Sequence, residues 1–145
     1  MNIKSLLYTF LFIVLLGCDP QLPPYDMPYL PFDDIVVNTT LPTYDNLWYD
    51  GGYVTLGGGV KGIILYRESA TRYHAFEKNC PFDSNSACST VDVDISQLFM
   101  TDPCCGSNFS FPNGEPMGGP SAYPMRKYAV YLNGSFLTIT DEIVN

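Results

Sequence analysis

From residue 32 onward, apolar and β-branched residues occur in short runs, and clusters of glycine, proline, asparagine, aspartate and serine separate these runs. Short runs bounded by turn residues are typical of β-strands, because a helix needs a longer apolar stripe with a period near 3.6. The predicted strands are residues 35–37, 53–56, 60–67, 73–76, 98–101, 127–132 and 135–139. No segment of this region predicts a helix longer than a turn or two. The pattern therefore predicts an all-β fold.

Two pairs of neighbouring strands are predicted to form hairpins. Asn133-Gly134 separates the last two strands, and this dipeptide is the strongest short hairpin signal because both turn positions favour positive φ. Residues 73–76 are predicted to pair with residues 63–66 across a turn at 68–71. Antiparallel pairing is therefore expected in this sheet.

The first seventeen residues have the pattern of a signal peptide. Lys4 precedes an apolar run at residues 6–16, which is too short for a comfortable membrane span. The run ends in Leu15-Leu16-Gly17-Cys18, which resembles a bacterial lipobox. The resemblance implies removal of residues 1–17, acylation of Cys18, and a membrane-anchored lipoprotein of the bacterial cell envelope that faces the periplasm or the exterior. The alternative is an uncleaved anchor helix.

Residues 18–31 are predicted to be a tether between the lipidated Cys18 and the domain. Five of the thirteen residues from Asp19 to Pro31 are proline, which prevents a helix. In polyproline geometry this stretch spans up to roughly 40 Å. A proline-rich ligand for a partner is the alternative interpretation. The folded domain is predicted to cover residues 32–145.

Length, composition and charge restrict the class of protein. At 145 residues the chain suits one domain with a single core. Its 11 tyrosines, 12 glycines and 12 prolines favour a β-rich fold with many turns. The formal net charge of −8 disfavours nucleic acid as a partner, because the chain gains no affinity from phosphate attraction or counterion release. Neutral or basic partners, including another envelope protein, stay open.

Four cysteines follow Cys18, and all of them lie between Asn79 and Pro120. They are Cys80, Cys88, Cys104 and Cys105. An even number of cysteines in an exported chain predicts two disulfides. The last two are sequence neighbours and cannot pair with each other without strain, so each must pair with one of the first two. Spacing alone leaves both pairings open.

The residues around these cysteines resemble the Rieske family, whose 2Fe-2S cluster is bound by a Cys-x-His loop and a Cys-x-x-His loop. Cys80-Pro-Phe82 matches the first loop, with Phe82 at the histidine position. Residues 102–109 match the second loop, with Asp102 at the cysteine position and Cys105 at the histidine position. One of the four ligands is retained. Gly106, Ser107 and Phe109 follow as in the family, and Gly119-Pro120 is similar to its proline loop.

The resemblance implies a Rieske-like antiparallel β-sandwich with a small loop subdomain, over roughly residues 33–140. It also implies a bridge between Cys88 and Cys104, because a disulfide ties the two cluster loops together in Rieske proteins of respiratory complexes. Cys80 and Cys105 would then pair across the former cluster site. Phe82 takes the place of an exposed ligand, so it either packs onto the disulfides or faces a partner.

The leading functional interpretation is a disulfide-stapled structural or interaction module that has lost its cluster, binds no cofactor or metal, and is not an enzyme. A Rieske cluster needs two imidazoles, and His74 is the single histidine. The alternative is an electron carrier whose 2Fe-2S cluster has atypical ligands, or a zinc site, formed by the four cysteines or with Asp102 replacing one of them. A catalytic thiol is disfavoured, since no Cys-x-x-Cys pair and no neighbouring base occurs.

Overall fold

The computed structural model describes residues 25–144, and its secondary structure is almost entirely β. The strands, in chain order, are β1 Ile35–Asn38, β2 Tyr53–Leu56, β3 Ile63–Ser69, β4 Arg72–Glu77, β5 Asp92–Val93, β6 Phe99–Thr101, β7 Asn108–Ser110, β8 Pro116–Gly118, β9 Lys127–Asn133 and β10 Phe136–Ile143. The one helical stretch in this part of the chain is a 3-10 segment at Pro42–Trp48, interrupted at Tyr44. Between residues 25 and 144 no helix has the length and apolar character needed to cross a membrane.

The strands form a main antiparallel sheet of six strands, in the order β1-β10-β9-β4-β3-β2, and a smaller sheet in the order β5-β6-β7-β8. The main sheet curls on itself, because a Cβ on Gly58 near the end of β2 would lie 2.9 Å from Ile35 of β1 at the opposite edge. The predicted all-β antiparallel fold with a smaller subdomain is confirmed, with one curled sheet as the larger layer.

Strand β3 is buried on both faces, which explains its continuous apolar sequence. Ile63 and Leu65 point into a cluster inside the curl of the main sheet, together with Leu137 and Ile139 of β10. Ile64 points the opposite way, into a second cluster that also contains Cys80. This second cluster is completed by Phe76, Val91, Met100, Phe109 and Met125. The main sheet and the two-loop subdomain therefore share a core.

The predicted hairpins are present, with a shift in one turn. Strands β9 and β10 pair with Asn133 opposite Phe136, so the turn residues are Gly134 and Ser135. Asn133 belongs to β9, so the turn begins one residue later than predicted. Strands β3 and β4 pair as expected, with Tyr66 opposite His74.

The segment before the predicted domain boundary packs on the domain. The Arg126 guanidinium donates hydrogen bonds to the carbonyls of Met27, at 2.8 Å, and Pro28. The Tyr29 hydroxyl donates to the Asp141 carboxylate at 2.7 Å, and Met27 is buried. Residues 25–29 of the predicted tether at 18–31 thus contact the domain, and two of their backbone carbonyls satisfy a buried arginine. Residues 18–24 of the tether lie outside the described residues.

A buried carboxylate joins the main sheet to the start of the first cysteine loop. Glu77, at the end of β4, has no exposed surface. Its Oε2 accepts hydrogen bonds from the Val60 amide and the Tyr128 hydroxyl, both at 2.8 Å. Its Oε1 accepts from the amides of Lys61 and Asn79, both at 3.0 Å. Burial is the largest cause that raises the pKa of Tyr128, and the Glu77 carboxylate adds to the rise. The Tyr128 hydroxyl therefore stays protonated and donates to Glu77.

We predict that Glu77→Gln lowers the free energy of unfolding by about 2 to 3 kcal/mol, because an amide NH2 group replaces an oxygen that accepts two hydrogen bonds. Urea unfolding followed by circular dichroism measures the change. The control is Glu142→Gln, which alters an exposed carboxylate with one tyrosine partner; its effect is expected to stay below about 0.5 kcal/mol. Equal effects of the two substitutions would contradict the role assigned to Glu77.

Candidate functional site

Two loops meet at one end of the second core cluster. The first loop, residues 80–90, follows β4, and the second loop, residues 102–107, joins β6 to β7. A disulfide between Cys88 and Cys104 links them, with a Cα–Cα distance of 5.7 Å. This is the bridge that the resemblance implied. The two loops are therefore covalently fixed to each other.

The first loop is held from inside by a lysine. The Lys61 ammonium donates to the carbonyls of Ser86 at 2.6 Å and Ser89 at 2.7 Å, with Ala87 at 3.4 Å. The backbone amide of the same lysine binds Glu77. A loop without regular secondary structure has carbonyls that need donors, and Lys61 supplies three from one side chain. The cysteine loop is thus anchored to the turn before β3.

The second loop is a tight turn covered by the predicted proline loop. The Asp102 amide donates to the Ser107 carbonyl at 2.9 Å, and the Gly106 amide donates to the Asp102 carbonyl at 2.8 Å. A Cβ on Gly119 would lie 2.4 Å from the Gly106 carbonyl oxygen, so only glycine permits this approach. The Ser121 amide donates to the Ser107 hydroxyl at 3.1 Å.

Three potential ligand side chains converge between the loops. The ligand atoms of Cys80, Asp102 and Cys105 lie within 4.8 Å of one another. The two sulfurs are 3.8 Å apart, and the Cys105 sulfur is 3.4 Å from Oδ2 of Asp102. Cys80 and Asp102 are fully buried, whereas Cys105 is partly exposed. One edge of the group therefore faces solvent.

Backbone and hydroxyl groups orient Asp102 and Cys105. Oδ1 of Asp102 accepts the Cys104 amide at 2.8 Å, while Oδ2 lies 3.4 Å from the Ser89 hydroxyl. The Cys105 sulfur lies 3.4 Å from the Ser107 amide nitrogen, which donates to it. Asp102 and Cys105 are thus held in place by groups of both loops.

Burial is the first cause that raises the pKa of the Cys80 thiol, and the nearby Asp102 and Cys105 add to the rise, against a hydrogen bond from the Phe82 backbone. A cysteine in such surroundings is a neutral thiol at neutral pH. Thiolate, and not thiol, is the nucleophilic form. Burial therefore disfavours the nucleophilic form of Cys80.

The donor set does not fit a Rieske cluster, which requires two cysteines and two histidines. Phe82 carries no donor atom, and its side chain is 40% exposed at the tip of the first loop. His74 lies in β4, where its Nε2 is 2.7 Å from the Glu68 carboxylate. The fourth family position, that of Phe82, has no ligand atom, while Cys80, Asp102 and Cys105 occupy the other three.

The predictions for the site have three outcomes: some residues meet as predicted, one lies outside the described residues, and some supporting residues were not predicted. Cys80 and Cys105 are adjacent, as predicted, but occur as two thiols, so a bridge between them stays a prediction. Cys18 lies outside the described residues. Lys61 and Ser89 support the site and were missed, because no sequence signal identifies a lysine or serine as the partner of a loop carbonyl or a carboxylate, whereas Ser107 was singled out through the family resemblance. Their proximity arises from folding alone.

Comparison with known proteins identifies the fold. No family model and no curated protein matches the chain. A chain from the complex of reduced oxygenase and oxidized ferredoxin in carbazole 1,9a-dioxygenase aligns with a TM-score of 0.50 and 16% identity, covering 83% of this chain and 99% of that one. The chain has a Rieske-like fold. A second Rieske-type structure, the ferredoxin of carbazole 1,9a-dioxygenase from Nocardioides aromaticivorans IC177, aligns with a TM-score of 0.44 and 15% identity, over 63% of this chain and 86% of that one.

In this Rieske-like domain, we predict that replacing both Cys88 and Cys104 with serine lowers the free energy of unfolding by about 3 kcal/mol. The bridge joins residues separated by 16 positions, and it stabilises the fold mainly by restricting the unfolded chain. Denaturant unfolding of parent and variant, each with and without reductant, measures the effect.

Reduction of the parent should give the same loss as the double substitution. Reductant should leave the double variant unchanged, because its Cys80 and Cys105 are thiols. A further loss on reduction would reveal the predicted second bridge between those residues, and equal stability of parent and variant would contradict the role of the Cys88–Cys104 bridge.

Proposed function

We propose that this protein is a lipid-anchored cell-envelope protein whose Rieske-like domain has lost its 2Fe-2S cluster and serves as a disulfide-stapled interaction module. The observation that carries the proposal is the ligand set between the two loops. Phe82 provides no ligand atom where the family has an exposed histidine, and Asp102 and Cys105 replace the other two. The domain is an interaction module and not an enzyme.

The path of the N-terminal segment supports a position of the two-loop end near the membrane. The Ser84 hydroxyl in the first loop donates to the Asp26 carbonyl at 2.6 Å, and the Tyr25 ring contacts the Tyr123 ring with centroids 5.1 Å apart. Only residues 19–24 separate Tyr25 from Cys18, and an extended chain from Cys18 to Tyr25 spans at most about 25 Å. Acylation of Cys18 would hold the loops close to the lipid surface.

The class of partner follows from the same arrangement. A protein in the same envelope compartment would meet the exposed Phe82 side chain at the loop tip. Aromatic side chains are enriched at protein interfaces. The structural neighbour with the higher TM-score was found in a complex of oxygenase and ferredoxin, which supports a protein partner in general.

The cluster loss is tested by iron and sulfide analysis of the full chain, produced in cells that assemble iron–sulfur proteins. We expect neither iron nor acid-labile sulfide in stoichiometric amounts, and no visible absorption from a cluster. The positive control is a Rieske ferredoxin produced in the same cells. About two irons and two sulfides per chain would overturn the proposal and support the alternative, an electron carrier with atypical ligands.

The anchor is tested by substitution of its acylated residue. We predict that Cys18→Ser blocks acyl attachment and stops signal peptide processing, because the side-chain sulfur is the site of modification. Labelling with a fatty-acid analogue and the mass of the mature chain measure both steps. Cys88→Ser is the control, since it removes a cysteine without touching the lipobox; its labelling should equal that of the parent. Labelling that persists in Cys18→Ser would contradict the lipoprotein assignment.

A further inference from the structure

The group formed by Cys80, Asp102 and Cys105 has the geometry of a site for a single metal ion. Two thiolates bound to one tetrahedral ion at about 2.3 Å hold their sulfurs about 3.8 Å apart, and a thiolate and a carboxylate on the same ion lie about 3.5 Å apart. The structure has 3.8 Å between the sulfurs and 3.4 Å from the Cys105 sulfur to Asp102 Oδ2. Both separations match the edges of one tetrahedron.

The groups around these donors also suit a metal site. Metal ligands are commonly oriented by hydrogen bonds from surrounding groups. Asp102 Oδ1 is held by the Cys104 amide, which leaves Oδ2 directed toward the sulfurs. The Cys105 sulfur accepts a hydrogen bond from the Ser107 amide at 3.4 Å. Asp102 and Cys105 thus each have a backbone partner that would remain when an ion is bound.

A bound cation would compensate the charge that the three donors acquire when they ionise. Two thiolates and a carboxylate together would carry three negative charges, which cannot be buried together without compensation. A divalent ion compensates two of these charges and deprotonates its thiol ligands. Thiolate ligands select soft ions such as zinc over magnesium or calcium.

We propose that Cys80, Asp102 and Cys105 bind one thiophilic, tetrahedral divalent ion, represented by Zn²⁺, with the fourth position open to solvent or to a group from a partner. The site differs from a 2Fe-2S centre in using three donors around one ion. It also excludes the predicted bridge between Cys80 and Cys105, because the ion needs both sulfurs. The inference goes beyond the proposed function and does not depend on the lipid anchor.

The test is metal binding by the full chain in detergent, under anaerobic conditions without reductant, so that the Cys88–Cys104 bridge stays intact and Cys80 and Cys105 are the thiols tested. Co²⁺ is added, and Zn²⁺ is then used to displace it. We expect one Co²⁺ per chain with sulfur-to-cobalt charge-transfer bands and the ligand-field bands of tetrahedral cobalt. Native mass spectrometry of the unsubstituted chain, as purified without chelator, should show one bound zinc.

Variants of the three donors identify the site. Cys80→Ser and Cys105→Ser should each weaken binding by more than about 100-fold, because even an outer partner of a ligand is worth about 10- to 100-fold. Asp102→Asn should weaken binding at least about 10-fold. Asp83→Asn is the matched control, since it changes an exposed aspartate of the first loop and should leave affinity unchanged. Circular dichroism of each variant separates lost binding from lost folding.

The possible contrary results are distinct. A folded parent that binds no Co²⁺ would overturn the proposal, and so would binding that survives Cys80→Ser. An unchanged affinity in Asp102→Asn would remove the carboxylate from the site. A native mass two hydrogens below that of the chain with the Cys88–Cys104 bridge alone would indicate a disulfide between Cys80 and Cys105. The predicted bridge, and not an ion, would then join these two residues. Each of these results leaves the cluster-free module intact, whereas iron with sulfide would overturn both.

Discussion

The buried carboxylate of Glu77 is the interaction on which the two-loop site depends. A buried charge is stable only when its hydrogen-bonding capacity is satisfied, and here each oxygen accepts two bonds. These partners come from the turn before β3, from β9, and from Asn79, the residue directly before Cys80. The same turn carries Lys61, whose ammonium holds the carbonyls of the first loop. The position of the first cysteine is therefore set by the main sheet.

The second loop is positioned by a different set of contacts. Its turn is closed by backbone hydrogen bonds of Asp102 and Gly106, and the close approach of Gly119 covers it. Neither contact uses the side chain of residue 105. The disulfide of Cys88 and Cys104 adds a covalent link outside the donor group. The closure of this turn therefore does not depend on which side chain stands at position 105.

The sequence predicted the main sheet well, because its strands are long enough to show apolar runs and turn residues. It missed β5, β7 and β8, which have two or three residues and therefore no measurable alternation. The proline-rich residues before Phe32 were interpreted as a spacer, since their contact with Arg126 spans almost a hundred positions of the chain. The adjacency of Cys80 and Cys105 was accessible only through family resemblance. Spacing alone left the pairing of the cysteines open.

The inner cysteines, Cys80 and Cys105, differ in burial from the outer cysteines, Cys88 and Cys104, and this difference affects how readily each pair is oxidised. Cys80 is fully buried and its pKa is raised, so its reaction with an oxidant through the thiolate is slow until the loop opens. The exposed Cys88 and Cys104 have no such protection, and they are the pair found as a disulfide. Once that bridge fixes the loops, the inner sulfurs are held at the separation of two ligands on one ion. Oxidation of the outer pair and retention of the inner thiols are thus compatible in one domain.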